Sequence, residues 1–153
     1  MSYIDNNLMR GEEIVYRTKL HRIVFLWPVI WLVVAILFFS IGGYATTVGW
    51  LFILIAIATG IGPLINYSTS EFGITNKRVM VKVGFIHRNS VEILLNKVEG
   101  IQVNQSILGR ILGYGSIIII GTGGTKDSFH QIFAPLEFRR KAQEQIANVQ
   151  ESK

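Results

Sequence analysis

Two absences shape this chain of 153 residues before any motif is considered. It has no cysteine, which excludes disulfides, thiolate metal sites and a cysteine nucleophile, and which agrees with a reducing compartment. Between Arg22 and Glu71 it also lacks Asp, Glu, Lys, Arg and His over 48 consecutive residues. A helix crosses the ~30 Å hydrocarbon core of a bilayer with about 20 apolar residues, so this stretch holds two crossings and a tight turn. A soluble protein of this size has too little other sequence to wrap so long an apolar core. A cleaved leader is not expected either, because the apolar part starts after 22 residues and a second span follows it.

Within the uncharged stretch, Ile23 to Ile41 and Val48 to Ile65 are apolar runs separated by Gly42, Gly43, Tyr44, Ala45, Thr46 and Thr47. The expected organisation is a lead-in over 1–22, a transmembrane hairpin over 23–66 with spans at about 23–41 and 48–65, and a soluble domain over 67–150. Trp27, Trp31, Tyr44, Trp50 and Tyr67 fall toward the span ends, where amphipathic rings favour headgroups. Pro28 is expected in the first turns of its helix and Pro63 in the last turn of the other. Ala56 with Gly60, and Ala58 with Gly62, repeat at the four-residue spacing that allows close helix approach.

Basic residues set the expected orientation. Arg10, Arg17, Lys19 and Arg22 precede the first span, Lys77, Arg78 and Lys82 follow the second, and the intervening turn is uncharged. That distribution fits both termini lying in the cytoplasm. The net charge is +5, of which residues 66–153, with eleven basic and seven acidic side chains, contribute +4. Such an excess suits an anionic leaflet. It is too dilute, and too poor in interleaved aromatics, for a nucleic-acid stripe.

After Ser68 the hydrophobic period shortens to two. Ser70–Thr75 and Arg78–Val83 flank the polar pair Asn76-Lys77 and predict a hairpin, with Val79, Val81 and Val83 on one face and Arg78, Met80 and Lys82 on the other. Phe85–Arg88, Val91–Leu95 and Val98–Val103 continue the strand pattern, with a bulge expected at Gly100. Asn104–Gly115 carries Ile107, Leu108, Ile111 and Leu112 among three glycines and reads as a short helical turn. Ser116–Ile120 predicts a central strand covered on both faces, and Ser128–Phe133 the last strand. Pro135 then opens a helix whose apolar stripe is Phe138, Ala142, Ile146 and Val149.

ITNKRVMVKVGFI and NKVEGIQVNQSILGRILGYGSIIIIGTGG resemble the membrane-flanked bacterial pleckstrin-homology (PH) domain, the bPH2 type found in YdbS-like membrane proteins. The likeness runs from about Tyr67 to Val149. Its most specific part is Thr75-Asn76-x-Arg78 followed at the right distance by Gln105-Ser106-x-Leu108-Gly109-Arg110-x-x-Gly113. The resemblance implies an α+β membrane protein: a two-helix transmembrane hairpin followed by a seven-stranded, strongly bent sheet or barrel with a capping C-terminal helix. It also implies an extended or partly helical lead-in over Leu8–Ile23, lying at the interface or pairing with the domain.

Catalytic patterns fail on context. Gly121-Thr122-Gly123-Gly124-Thr125-Lys126 lacks the helix that a phosphate-cradling loop opens, and Gly109, Gly113 and Gly115 lack the order of a dinucleotide fingerprint. Ser128 and His130 share a strand face but have no orienting third group, and His21, His87 and His130 are dispersed without carboxylate pairs. No enzyme activity, cofactor, metal or small-molecule substrate is expected. Lys77, Arg78, Lys82 and Arg88, on and after the first hairpin, together with Arg110 in the glycine-bounded loop, are the candidate lipid or partner contacts. The expected function is a membrane-held PH-like domain that binds a protein partner or another copy of itself. The alternatives are anionic-lipid sensing by the basic hairpin and, more remotely, an integral-membrane enzyme.

Overall fold

The computed structural model describes residues 3–84 and 89–151. It divides into two compact units: Arg22–Ser68, and the segments on either side, up to His21 and from Thr69 onward.

The first unit is two apolar helices. A 3-10 turn over Arg22–Phe25 leads into α2 (Leu26–Ile41), Gly42 and Gly43 at φ 75° and 61° make the turn, and α3 runs from Ala45 to Thr69. Both helices are long and apolar enough to cross a bilayer, and Leu32, Val33, Leu37, Leu54 and Leu64 all face outward. The two helices meet through small residues. Ala35 and Ala56 are buried, a Cβ on Gly60 would sit 3.6 Å from Pro28, and one on Gly49 would sit 3.2 Å from the Phe39 ring. Of the two expected small-residue pairs, Ala56 and Gly60 make the close approach, whereas a Cβ added to Gly62 would have nothing within 4 Å. Trp31 stacks on Phe52, and Phe25 meets Tyr67 edge-on. Pro28 occupies the first turn of α2 as expected. Pro63 does not end its helix, which continues to Thr69.

The second unit is a β domain assembled from both sides of the helical pair. A short helix, α1 (Tyr3–Asn6), precedes β1 (Ile14–Thr18). Beyond Thr69 come β2 (Glu71–Thr75), β3 (Arg78–Val83), β4 (Asn89–Leu94), a 3-10 turn at Leu95–Lys97, and β5 (Val98–Asn104). Helix α4 (Ile107–Leu112), β6 (Tyr114–Gly121), β7 (Lys126–Phe133) and helix α5 (Pro135–Glu151) complete it. The expected single bent sheet is instead two sheets, ordered β1-β2-β3-β4 and β5-β6-β7. The break has a physical cause: the 3-10 turn at Leu95–Lys97, with Leu95 buried, turns the chain out of the first sheet before β5 starts. Seven strands are present among the described residues, but one comes from the lead-in, and the strand expected over Phe85–Arg88 lies outside those residues.

The inner faces hold the core. Phe72, Ile74, Val79 and Val81 face Ile117, Ile119, Phe129 and Ile132, and α5 closes the stack with Phe138 and Ala142, both fully buried. The predicted bulge appears as a register shift between Val98 and Gly100. Strand β6 is central in its sheet, but only alternate residues are buried, so its second face is half-covered. The two sheets are linked on one side by the residues after β1. Leu20 bridges to Ile132, the Phe133 N–H donates to Lys19 O, and the His21 N–H donates to Gln131 O at 2.6 Å.

Pairing fixes where the chain leaves this domain. Thr18, three residues before His21, lies opposite Phe72, three residues after Thr69. Both connections to the helical unit therefore emerge at one end of the first sheet, called here the junction end. The Asn76-Lys77 turn lies at the far end, several residues along the strands at about 3.3 Å each.

Candidate functional site

The basic residues picked out from the sequence do not form one patch. Arg78 is 6 % exposed, and a buried guanidinium is stable only where its donors find acceptors. Its Nε and Nη2 donate to the two Glu12 carboxylate oxygens at 2.9 and 3.0 Å, Nη1 donates to Glu92 Oε2 at 2.5 Å, and Nη2 also donates to Asn7 O. Glu12 in turn accepts from the Met9 N–H and the Thr75 hydroxyl, both at 2.7 Å. Burial alone would raise the Glu12 pKa; the Arg78, Met9 and Thr75 hydrogen bonds outweigh it and hold the carboxyl below its ordinary value. The same bonds from Glu12 raise the Arg78 pKa, against the opposing effect of burial.

This is a clasp. Thr75, Asn76 and Arg78, the hairpin residues that carried the resemblance, bind the lead-in: Asn76 exchanges hydrogen bonds with Glu13 and donates to Gly11 O, and Lys77 Nζ donates to Arg10 O. Ile4 of α1 completes the cover over the outer face of β2, where a Cβ on Gly73 would meet its Cδ1 at 2.6 Å. The face that carries Arg78, Met80 and Lys82 is thus largely roofed by the chain's own N-terminal segment. Arg78, a candidate surface contact by sequence, lies buried in ion pairs with Glu12 and Glu92. Lys82 is half-buried, its ammonium 5.1 Å from the Tyr3 ring centroid, and lies toward the junction end, whereas Lys77 lies at the far end. Arg88 lies outside the described residues.

Arg110 belongs to a different setting. Ser106 caps α4 by accepting the Gly109 N–H at 3.1 Å, and Gly113 ends the helix at φ 77°. The helix seats on the start of β6 through Gly109, which is buried and so close to the Tyr114 carbonyl that a Cβ would come within 2.6 Å. With glycine facing inward, the apolar residues face outward: Ile107, Leu108, Ile111 and Leu112 are 80, 63, 74 and 47 % exposed. Arg110 is exposed on the flank of this stripe, beside Val103, Gln105 and Leu136. At the base of α4, Tyr114 stacks on His21 at 5.3 Å, and His21 stacks on Phe133 at 6.0 Å. The α4 tip therefore stands at the junction end. Sequence reading located this helix but assigned it no surface, because only the buried Gly109 reveals which side is out.

Neither enzyme-like pattern converges. His130 shares a 2.9 Å hydrogen bond with the half-buried Ser116, not with Ser128, and both His130 and Ser128 are exposed. The Gly121–Thr125 segment is a tight turn closed by the Gly121 N–H to Thr125 O, leading into β7 and not into a helix. Among the described residues no group of His, Asp and Glu could hold a metal ion.

A two-sheet β domain capped by a C-terminal helix, with paired apolar helices between its first and second strands, is consistent with a PH-like module, a class that is generally non-enzymatic. The family model for the bacterial PH domain (bPH_2) matches residues 23–151, and the chain belongs to that family. No curated protein and no solved structure matches it. The family match begins after β1 and the Glu12 half of the clasp.

Proposed function

We propose that this chain is a non-enzymatic, two-span protein of the bacterial cytoplasmic membrane that presents its PH-like domain at the cytoplasmic surface to bind a protein partner or a second copy. One observation carries this reading: two apolar helices with outward-facing side chains are spliced between β1 and β2 of a single sheet. Such helices need an apolar solvent. Pairing of β1 with β2 needs the segments before and after the helices on one side of it. The basic residues flanking both spans favour the cytoplasmic side.

For binding, the outer strands among the described residues are β1, β4, β5 and β7; the Leu20–Ile132 bridge links the β1 and β7 edges, β4 and β5 have no such bridge, and an edge accepts an added strand. Lipid sensing by the first hairpin is not favoured, because Lys77 and Arg78 hold the lead-in and the hairpin turn lies away from the junction end. The reading predicts resistance to alkaline carbonate extraction, and reporter fusions at both termini that register the cytoplasm. Photo-cross-linkers at Ser90 and Leu94 on β4 should form a discrete adduct in cells. Release by carbonate, or termini on opposite sides, removes the membrane reading; absence of any adduct removes the edge as the binding surface.

A further inference from the structure

We propose that α4 is a lipid wedge: its Ile107, Leu108, Ile111 and Leu112 face lies in the headgroup–acyl boundary of the bilayer that the two helices cross, with Arg110 reaching a lipid phosphate. This deepens, and rests on, the two-span reading above.

The helix is amphipathic in reverse. At 100° per residue its four aliphatic side chains form one stripe, Gly109 faces the protein, and Arg110 lies to the side. Water is a poor solvent for that stripe, so something apolar covers it. Location identifies the cover. Leu112 is two residues from Tyr114, whose ring stacks on His21, and His21 is bonded to Arg22, the first residue of the first span. The wedge thus stands within a few residues of the point where the chain enters the membrane. Tyr114 at its base is a ring type that favours the interface, and Arg110 has the long apolar stem that lets a cation reach phosphate from such a depth.

Size argues against a second protein. A six-residue helix is about 9 Å long and about 10 Å across, a footprint of about 100 Å². A stable protein interface needs about 800 Å² from each partner. A small apolar tip suffices for lipid, because the spans already hold it at high effective concentration beside the bilayer.

The absence of cysteine makes the test direct. Single cysteines at Ile111 and Leu108 (I111C, L108C), mid-span at Val33 (V33C), and in the far-end turn at Thr122 (T122C) carry an environment-sensitive fluorophore. The full chain is placed at one copy per nanodisc of phosphatidylethanolamine and phosphatidylglycerol. Some lipids bear a nitroxide near the headgroup end of the acyl chain, or near its methyl end. Labels at 111 and 108 should emit blue-shifted light that the shallow nitroxide quenches more than the deep one; the label at 33 should show the reverse order, and that at 122 no quenching. Quenching at 33 with water-like emission at both 111 and 108 overturns the wedge and leaves the two-span reading intact. No quenching at 33 overturns both. Blue-shifted but unquenched labels on α4 mean that protein covers it, and that also overturns the proposal.

Discussion

The two ends of the β domain treat their side chains in opposite ways. On the outer face of the first sheet, an arginine and a glutamate of the kind that usually meets solvent are sealed under the N-terminal segment, with the guanidinium and carboxylate satisfied by one another and by backbone. At the junction end, four aliphatic residues of the kind that usually builds a core stand outward on α4. Charge turned inward fastens the domain to its own lead-in, and apolar surface turned outward offers it to something else. Residue type alone assigns these roles the wrong way round.

The largest disturbance of this contrast is loss of one partner in the clasp. Arg78→Met leaves Glu12 buried and unpaired, and should lower stability by about 3–5 kcal/mol in thermal or denaturant unfolding of the full chain in detergent. The double variant Arg78→Met, Glu12→Leu should recover a large part of that, since no orphaned charge remains. A double variant as unstable as the single one would show that the clasp holds by shape and not by charge.

Next in size is Gly109→Ala. The new Cβ meets the Tyr114 carbonyl at 2.6 Å, and a backbone atom yields poorly, so α4 should lift from β6 at a cost of about 1–3 kcal/mol. Gly73→Ala makes an equally short approach, but to the flexible tip of Ile4, and should cost less by the same unfolding measurement.

Acid is a gentler probe. Because the Glu12 carboxyl is held below its ordinary value, the unfolded chain takes up the proton first as pH falls. Stability from this group is therefore complete above about pH 4.5 and is lost as pH drops through the folded-state value. Glu12→Gln should flatten that part of the acid-unfolding curve; an unchanged curve would mean that another carboxylate controls it.

The smallest effect should come from α4 itself. Ile107→Ser and Ile111→Ser remove exposed side chains and should shift domain stability by no more than about 0.5 kcal/mol. A larger loss would mean that the stripe packs on its own domain and that the contrast between the two ends is false.

Much of the architecture was legible from the residues. The uncharged stretch announced two apolar helices, the Asn76-Lys77 pair a hairpin, Gly100 a bulge, and the stripe Phe138, Ala142, Ile146 and Val149 a helix face that is buried at its first two residues and half-buried at the last two, because each signal is local and periodic. The sites were less legible. Arg78 alternates outward on its strand, and only pairing with a glutamate 66 positions earlier reveals that a second layer covers it. The orientation of α4 rests on one glycine approaching a carbonyl. Both are tertiary facts with no period to betray them.

The splice between β1 and β2 bears on how the protein is made. On the two-span reading proposed above, β1 would leave the ribosome before either apolar helix and would have no mate until both had been threaded and β2 had returned to the starting side. With one helix left out of the bilayer, β1 and β2 would lie on opposite faces, and the sheet would stay unfinished, with Arg78 lacking Glu12. On the two-span reading, completion of the β domain would thus depend on correct insertion of both helices.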